Sequence, residues 1–262
     1  MRKNLRIILL MLLSGVFIMS AAMIIRYFAD AHRMWLRSRQ AHDIMMRYII
    51  LPPGEVPDNQ LQGQASHRQT STDAGQNIDF DALRAAFGND DIVAHLLIEG
   101  TTINYAVVQG NDNRFYVNHD IWGNPSASGW IFLDYEADIF GKDHNLIIYG
   151  HNMRHNHKFH EIRHFADYSF FRRHPLIILT TPAGVMYWDI FAFYRTDIYF
   201  AYNHVNFSDE NREYMFAQFI NKSWHYAGIT PAPHDRILTL STCTGRNNNE
   251  RYVLQARLRD IR

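Results

Sequence analysis

Cysteine is the scarcest residue of this chain: Cys243 is the only one in 262 residues. A lone thiol excludes an intrachain disulfide framework and a cysteine-rich zinc site. Net charge is missing as well, since 26 Lys and Arg balance 26 Asp and Glu, and nothing points to a nucleic-acid partner. No internal repeat is visible. What the chain does have is 47% hydrophobic content and 14% aromatics, enough apolar material for a substantial core. Its 15 histidines are unusual and are the main source of competing readings.

A long uncharged run occurs once. Ile7 to Ile25 holds 19 residues without a charge, about 28 Å as a helix, behind a short basic end at residues 1–6 with Arg2, Lys3 and Arg6. It is longer than the usual apolar region of a cleavable signal peptide, so a single-pass, uncleaved membrane anchor at 7–25 is the favoured reading. Arg26, Arg33, Arg37 and Arg39 follow the span and weaken the charge asymmetry that sets orientation. Residues 26–51 continue with helix formers and read as a juxtamembrane helix. Residues 52–77 shift to Pro, Gly, Gln, Ser, Asp and Thr, a solvated linker. A globular domain is expected over 78–262.

Within it, Phe80, Leu83 and Phe87 at helical spacing predict a short helix over Asp79–Phe87, stopped by Gly88. Strands are expected at 92–98, 102–108, 130–133, 145–149, 176–180 and 186–194, followed by a closing pair. Few helices lie between them, so the fold class is mainly β, a barrel or sandwich with peripheral helices. One long helix stands out before the last pair, from Ser208 as its cap to Trp224, with Phe216, Phe219, Ile220 and Trp224 as its apolar stripe.

The closing pair carries the thiol. In Ile237-Leu-Thr-Leu-Ser-Thr-Cys243 the leucines alternate with Thr239, Ser241 and Cys243, the period of a half-buried strand whose other face is polar. Arg251-Tyr-Val-Leu-Gln-Ala-Arg-Leu258 alternates again after a turn-rich loop, and Arg251 lies opposite its own apolar set. If the strands pair, Arg251 shares a face with Cys243, and a guanidinium beside a thiol favours thiolate. A lone cysteine is most often a small buried hydrophobe, but its polar-face position and the arginine shift the balance toward a nucleophile. His151, which ends the apolar strand 146–149 after Gly150, is the best proton donor on position, although other histidines fit the pattern. Arg246, in the turn, rivals Arg251.

A formal H-E-x-x-H match falls at His160, Glu161 and His164. On a helix that spacing sets two imidazoles and a carboxylate on one face, as a zinc hydrolase requires. The match lies in a histidine-rich run, Asp167 and Phe170 break the extended pattern, and Phe159, Ile162 and Ala166 form the expected buried stripe. Structural or solvated histidines are therefore preferred to a metal site, with a zinc hydrolase and a non-catalytic binding barrel kept as alternatives.

Thr239-Leu-Ser-Thr-Cys243 resembles the T-L-x-T-C signature of sortases, cysteine transpeptidases that attach surface proteins to bacterial cell walls. Tyr149-Gly150-His151-Asn152 is similar to the segment carrying the family's histidine, and Arg251-Tyr-Val-Leu to the strand carrying its arginine. The likeness covers residues 78 to 258, and Asn104–Gln109, Asn113–Tyr116, Gly129–Asp134 and the long helix favour the class B branch. His95, Glu99 and Ala106 depart from that branch at scaffold positions. The resemblance implies a closed barrel of about eight strands with N-terminal helices and a long helix before the cysteine strand. It also implies a catalytic domain outside the cell and no metal or organic cofactor. His151, Cys243 and Arg251 would be catalytic, and Ser241, Asn113 and Tyr202 would line a groove for an Asn-Pro-x-Thr-like sorting signal. Implied partners are secreted proteins bearing that signal and a peptidoglycan precursor or other cell-wall amine.

Overall fold

The computed structural model describes residues 2–50, 77–153, 157–245 and 249–262. The linker expected at 52–77 lies outside them, apart from Asn77. The chain divides into two units, Met1–Asp43 and Ile44–Arg262. The first lies on helix α1 (Arg2–Tyr48), which is unbroken. The span and the following helix expected from the sequence are thus one element, because no Gly or Pro between residues 26 and 50 interrupts it. Side chains along Ile7–Ile25 are largely exposed, Phe17 by 74%, and the helix is long and apolar enough to cross a membrane.

The second unit opens with a short antiparallel pair, β1 (Ile49–Ile50) and β2 (Asn77–Ile78). Helix α2 (Phe80–Phe87) follows as its sequence requires. The Asp79 carboxylate accepts from Ala82 N at 2.9 Å, and Gly88 closes the helix at φ 60°. Next come β3 (Ile92–Leu97), β4 (Asn104–Val108), β5 (Phe132–Leu133) and β6 (Asn145–Tyr149). A small hairpin of β7 (Asn152–Met153) and β8 (His157–Lys158) leads to helix α3 (Tyr168–Arg173). Strands β9 (Leu176–Thr181) and β10 (Gly184–Asp197), helix α4 (Asp209–Lys222), and strands β11 (Ile237–Cys243) and β12 (Glu250–Ile261) complete the chain.

Eight strands close a barrel in the order β10-β12-β11-β6-β5-β4-β3-β9. Pairing is antiparallel except for β6 with β11 and β4 with β5. Helix α4 buries Phe216 and Phe219, but Ser208 makes no side-chain cap and Trp224 falls beyond the helix end, 45% exposed. The Ser208 carbonyl opens the hydrogen bonding of α4, accepting from Asn211 N and Arg212 N, both at 3.0 Å.

Strand β11 departs from the half-buried pattern, because every residue from Ile237 to Thr242 is buried. Leu238 and Leu240 fill the barrel. On the opposite face Ile237 joins Tyr194, Tyr202, Phe207, Phe216, Phe219 and Val253 beneath α4. Thr239 lies in the same covered layer and is satisfied there: its hydroxyl donates to Asn145 Oδ1 at 2.7 Å and accepts from Gln255 Nε2 at 3.1 Å. Gln255 Oε1 in turn accepts from the Tyr194 hydroxyl at 3.0 Å. Asn145 Nδ2 donates to the carbonyls of Tyr202 and His204, both at 3.0 Å. Each buried polar group in this chain of bonds has a partner, which is the condition for burying them at all.

Lys158 on β8 is an exception. It is 2% exposed and its Nζ has no hydrogen-bond partner among the described residues; the amine lies 3.3 Å from the Trp130 ring centre and 5.3 Å from that of Tyr105. Burial drives its basicity well below the ordinary lysine value of 10.5, with the Asp120 charge opposing. Between that lowered folded value and 10.5 the unfolded chain binds more protons than the folded one, so stability rises with pH across this window. Lys158→Met should raise stability at neutral pH by about 1–3 kcal/mol, the scale of a buried unpaired polar group. It should also flatten the alkaline rise. Denaturant unfolding of both chains across pH 6–10 checks this; an equally steep rise in the variant would refute it.

Candidate active site

The end of β11 is where the covered polar face opens. Cys243 is half-buried, and Arg251 of β12 is its direct cross-strand partner. Opposed residues in an antiparallel pair share a face with Cβ atoms about 5 Å apart, so the register puts both side chains on one face of the sheet. Arg251 Nη1 also donates to the Glu250 carbonyl at 3.1 Å, and Glu250 meets Arg195 at 3.2 Å. Arg246 lies outside the described residues.

His151 arrives from the other side. Strand β6 runs parallel to β11 with Tyr149 opposite Ser241, and Gly150 N donates to Ser241 O at 3.2 Å. Only glycine fits at 150, where a Cβ would lie 2.4 Å from Ile131 Cδ1 and 2.8 Å from Phe159 Cδ2. The chain then leaves the barrel. His151 Nε2 lies 2.7 Å from the Val117 carbonyl, which only accepts, so Nε2 carries the hydrogen and Nδ1 is the nitrogen left for proton transfer. That carbonyl is itself packed tightly: at Gly129, with φ +51°, a Cβ would fall 2.5 Å from both Tyr116 O and Val117 O. Asn152 spans the gap between the two strands, its Nδ2 donating to Cys243 O at 2.9 Å and its Oδ1 lying 2.7 Å from His160 Nδ1.

Cys243, His151 and Arg251 line one open groove of about 280 Å3, together with Asn113, Tyr202 and Ser241. The six residues that the resemblance assigned to the site thus line one groove. The Tyr202 hydroxyl and Ser241 Oγ are 3.0 Å apart. Burial holds the Tyr202 phenol above its ordinary range, with the Ser241 bond and the Arg251 charge pulling back. Asn113 Nδ2 and the Tyr149 hydroxyl both donate to Asp134 Oδ2 at 2.9 Å. Burial first and the Asp134 charge second raise the Tyr149 phenol strongly, so both tyrosines stay neutral hydrogen-bonding groups.

A family model described as the sortase domain matches residues 96–259, well over half of the chain. The chain belongs to the sortase family. Its relatives place it in class B. A sortase B of Listeria monocytogenes is 32% identical over 173 residues, 65% of this chain and 70% of that protein. A sortase B of Staphylococcus aureus is 31% identical over 156 residues, 59% of this chain and 64%, just under two thirds, of that protein's own length. The X-ray structure of Clostridium perfringens sortase B is similar with TM-score 0.65 at 33% identity, covering 70% of this chain and 100% of that one.

The H-E-x-x-H match of this sortase does not form a metal face. Its residues lie in a 3-10 turn (His160–Ala166), whose three-residue period does not stack positions four apart. Glu161 Oε2 accepts from the amide and hydroxyl of Thr102, and His160 is buried against Asn152 rather than turned to solvent. The buried stripe is Phe159, His160, Ile162 and Phe165, not Ala166. No group of three His, Cys, Asp or Glu among the described residues is placed to hold a metal ion. Sequence reasoning missed Asn152, Asp134 and the Val117 carbonyl. Most of their partners lie in other segments of the chain, and no local pattern announces them.

Ser241→Ala should leave the buried Tyr202 hydroxyl without its partner and cost about 1–3 kcal/mol. Adding Tyr202→Phe should recover part of that loss, so the double variant is destabilised by less than the sum of the singles. Urea unfolding of the four chains measures the coupling; strict additivity would mean the bond contributes nothing.

Proposed function

We propose that this chain is a membrane-anchored cysteine transpeptidase, with the catalytic domain outside the cell. With the Cys243 thiol proton passed to His151 Nδ1, the thiolate attacks the threonine carbonyl of an Asn-Pro-x-Thr-like sorting signal. A C–S bond forms, and the carbonyl electrons move onto oxygen, where Arg251 donates hydrogen bonds. The oxyanion collapses and the peptide C–N bond breaks. His151 gives its Nδ1 proton to the departing amine, leaving a thioester on Cys243. A cell-wall amine then attacks the thioester, His151 takes back a proton, an amide forms and the thiolate is regenerated; water in place of the amine gives hydrolysis.

The observation that carries this reading is the meeting of thiol, imidazole and guanidinium on one open groove. A packed, inert cysteine is disfavoured by the half-exposed setting of Cys243, and a zinc hydrolase by the engaged Glu161. Ser241, Tyr202 and Asn113 supply polar groups along the groove and are assigned to the signal peptide. Family membership supports the substrate class, and the apolar stretch Ile7–Ile25 supports the anchor.

Mass spectrometry of the chain after exposure to sorting-signal peptides should trap a thioester on Cys243. Cys243→Ala should abolish both the adduct and cleavage, and continued cleavage by that variant would overturn the assignment. Arg251→Ala should lower the acylation rate by about 10²–10³, the usual effect of losing one oxyanion donor. Arg246→Ala should have a far smaller effect, and the opposite ranking would move the role to Arg246.

A further inference from the structure

The β6–β11 ladder ends one step before it would reach the nucleophile. In a parallel pair the donors recur at every second residue. After Gly150 N to Ser241 O, the next bond would run from the amide of residue 152 to the carbonyl of Cys243. That carbonyl instead receives the side-chain Nδ2 of the same residue, Asn152, at 2.9 Å. The carboxamide stands in for the main-chain donor, and this substitution frees the backbone at 151 to turn out of the sheet. A histidine held in a continuing strand would have been fixed by the pleat.

The orientation of the amide follows from its partners. Cys243 O only accepts, so the nitrogen of the Asn152 amide faces it and Oδ1 faces His160 Nδ1, 2.7 Å away. His160 therefore carries its hydrogen on Nδ1. It is 9% exposed, so the bond is sheltered from water. We propose that Asn152, oriented by His160, is a positioning residue that sets the separation of His151 from Cys243; the role rests on the transpeptidase reading above. It touches neither substrate nor reacting atoms and acts through the two residues it ties together.

The test uses the full chain and two probes. One is turnover of Asn-Pro-x-Thr peptides, and the other is the pH profile of Cys243 alkylation by iodoacetamide without substrate. Asn152→Ala should lower kcat by about 10–100-fold, the usual effect of a lost supporting contact, with KM within about twofold. It should also displace the alkylation profile. Asn152→Asp keeps the shape but sets an acceptor against the Cys243 carbonyl, and should match the alanine variant. His160→Asn retains a donor at the Nδ1 position and should stay within about threefold of the parent, whereas His160→Ala should not. An Asn152→Ala chain with parental kcat, a loss carried by KM alone, or an unmoved alkylation profile would each overturn the proposal. Should Asn152→Ala fail to fold by circular dichroism, the Asn152→Asp and His160→Asn chains decide. If the parent leaves every peptide uncleaved, the transpeptidase reading fails, while the alkylation profiles still judge Asn152.

Discussion

A buried chain of hydrogen bonds holds the active strand in register, and the rest of the molecule depends on it. Asn145, Thr239 and Gln255 are each 0% exposed, on adjacent strands β6, β11 and β12, and their side chains bond to one another across the sheet. Sliding β11 by one residue would drive Leu240 against the aromatic layer under α4 and push Thr239 into the apolar barrel. Both faces would suffer, and the hydroxyl and amides would lose their partners, a cost of about 1–3 kcal/mol for each group left bare. The register is thereby fixed, and with it the place where Cys243 emerges. Through its bonds to the carbonyls of residues 202 and 204, Asn145 also ties down the turn that brings Tyr202 over Ser241.

This layer explains why the alternation in the cysteine strand was legible while its burial was not. The leucine and polar positions separate onto two faces as period two requires, and Cys243 and Arg251 share the polar face in direct register. Local pattern cannot say what covers that face. Phe216 and Phe219, from a helix earlier in the chain, do so, and turn a polar edge into an interior one. Of the apolar stripe expected in α4, Phe216 and Phe219 are buried, whereas Trp224 falls past the helix end and the expected cap does not form. Spacing marks the face a helix can bury, whereas its ends and its cap depend on which atoms reach the free amides and carbonyls.

The candidate site divides along the same line. Gly150 before His151, and Arg251 at the start of a strand, are signals in the sequence. Asn152 to Cys243, Asp134 to Asn113 and Tyr149, and Val117 to His151 are contacts between distant segments, without a periodicity to betray them. The histidine-rich run shows the converse, a strong local pattern without the geometry it suggests. His160 and His164 have the spacing of metal ligands on a helix, but their segment winds as a tighter turn, and one of the imidazoles is committed to Asn152.

The parallel pairing of β6 with β11 also bears on when the enzyme comes into being. The bond from Asn152 to Cys243 O closes a loop of 91 residues, and a parallel pair of such separation forms late, because its closure entropy is met only after nearer contacts exist. A chain emerging N-terminus first carries its imidazole long before its thiol, and the guanidinium comes last of all. Cys243, His151 and Arg251 come to line one groove only when the final hairpin pairs with β6. A chain still lacking its last two strands therefore has neither the thiol nor the guanidinium side of the groove.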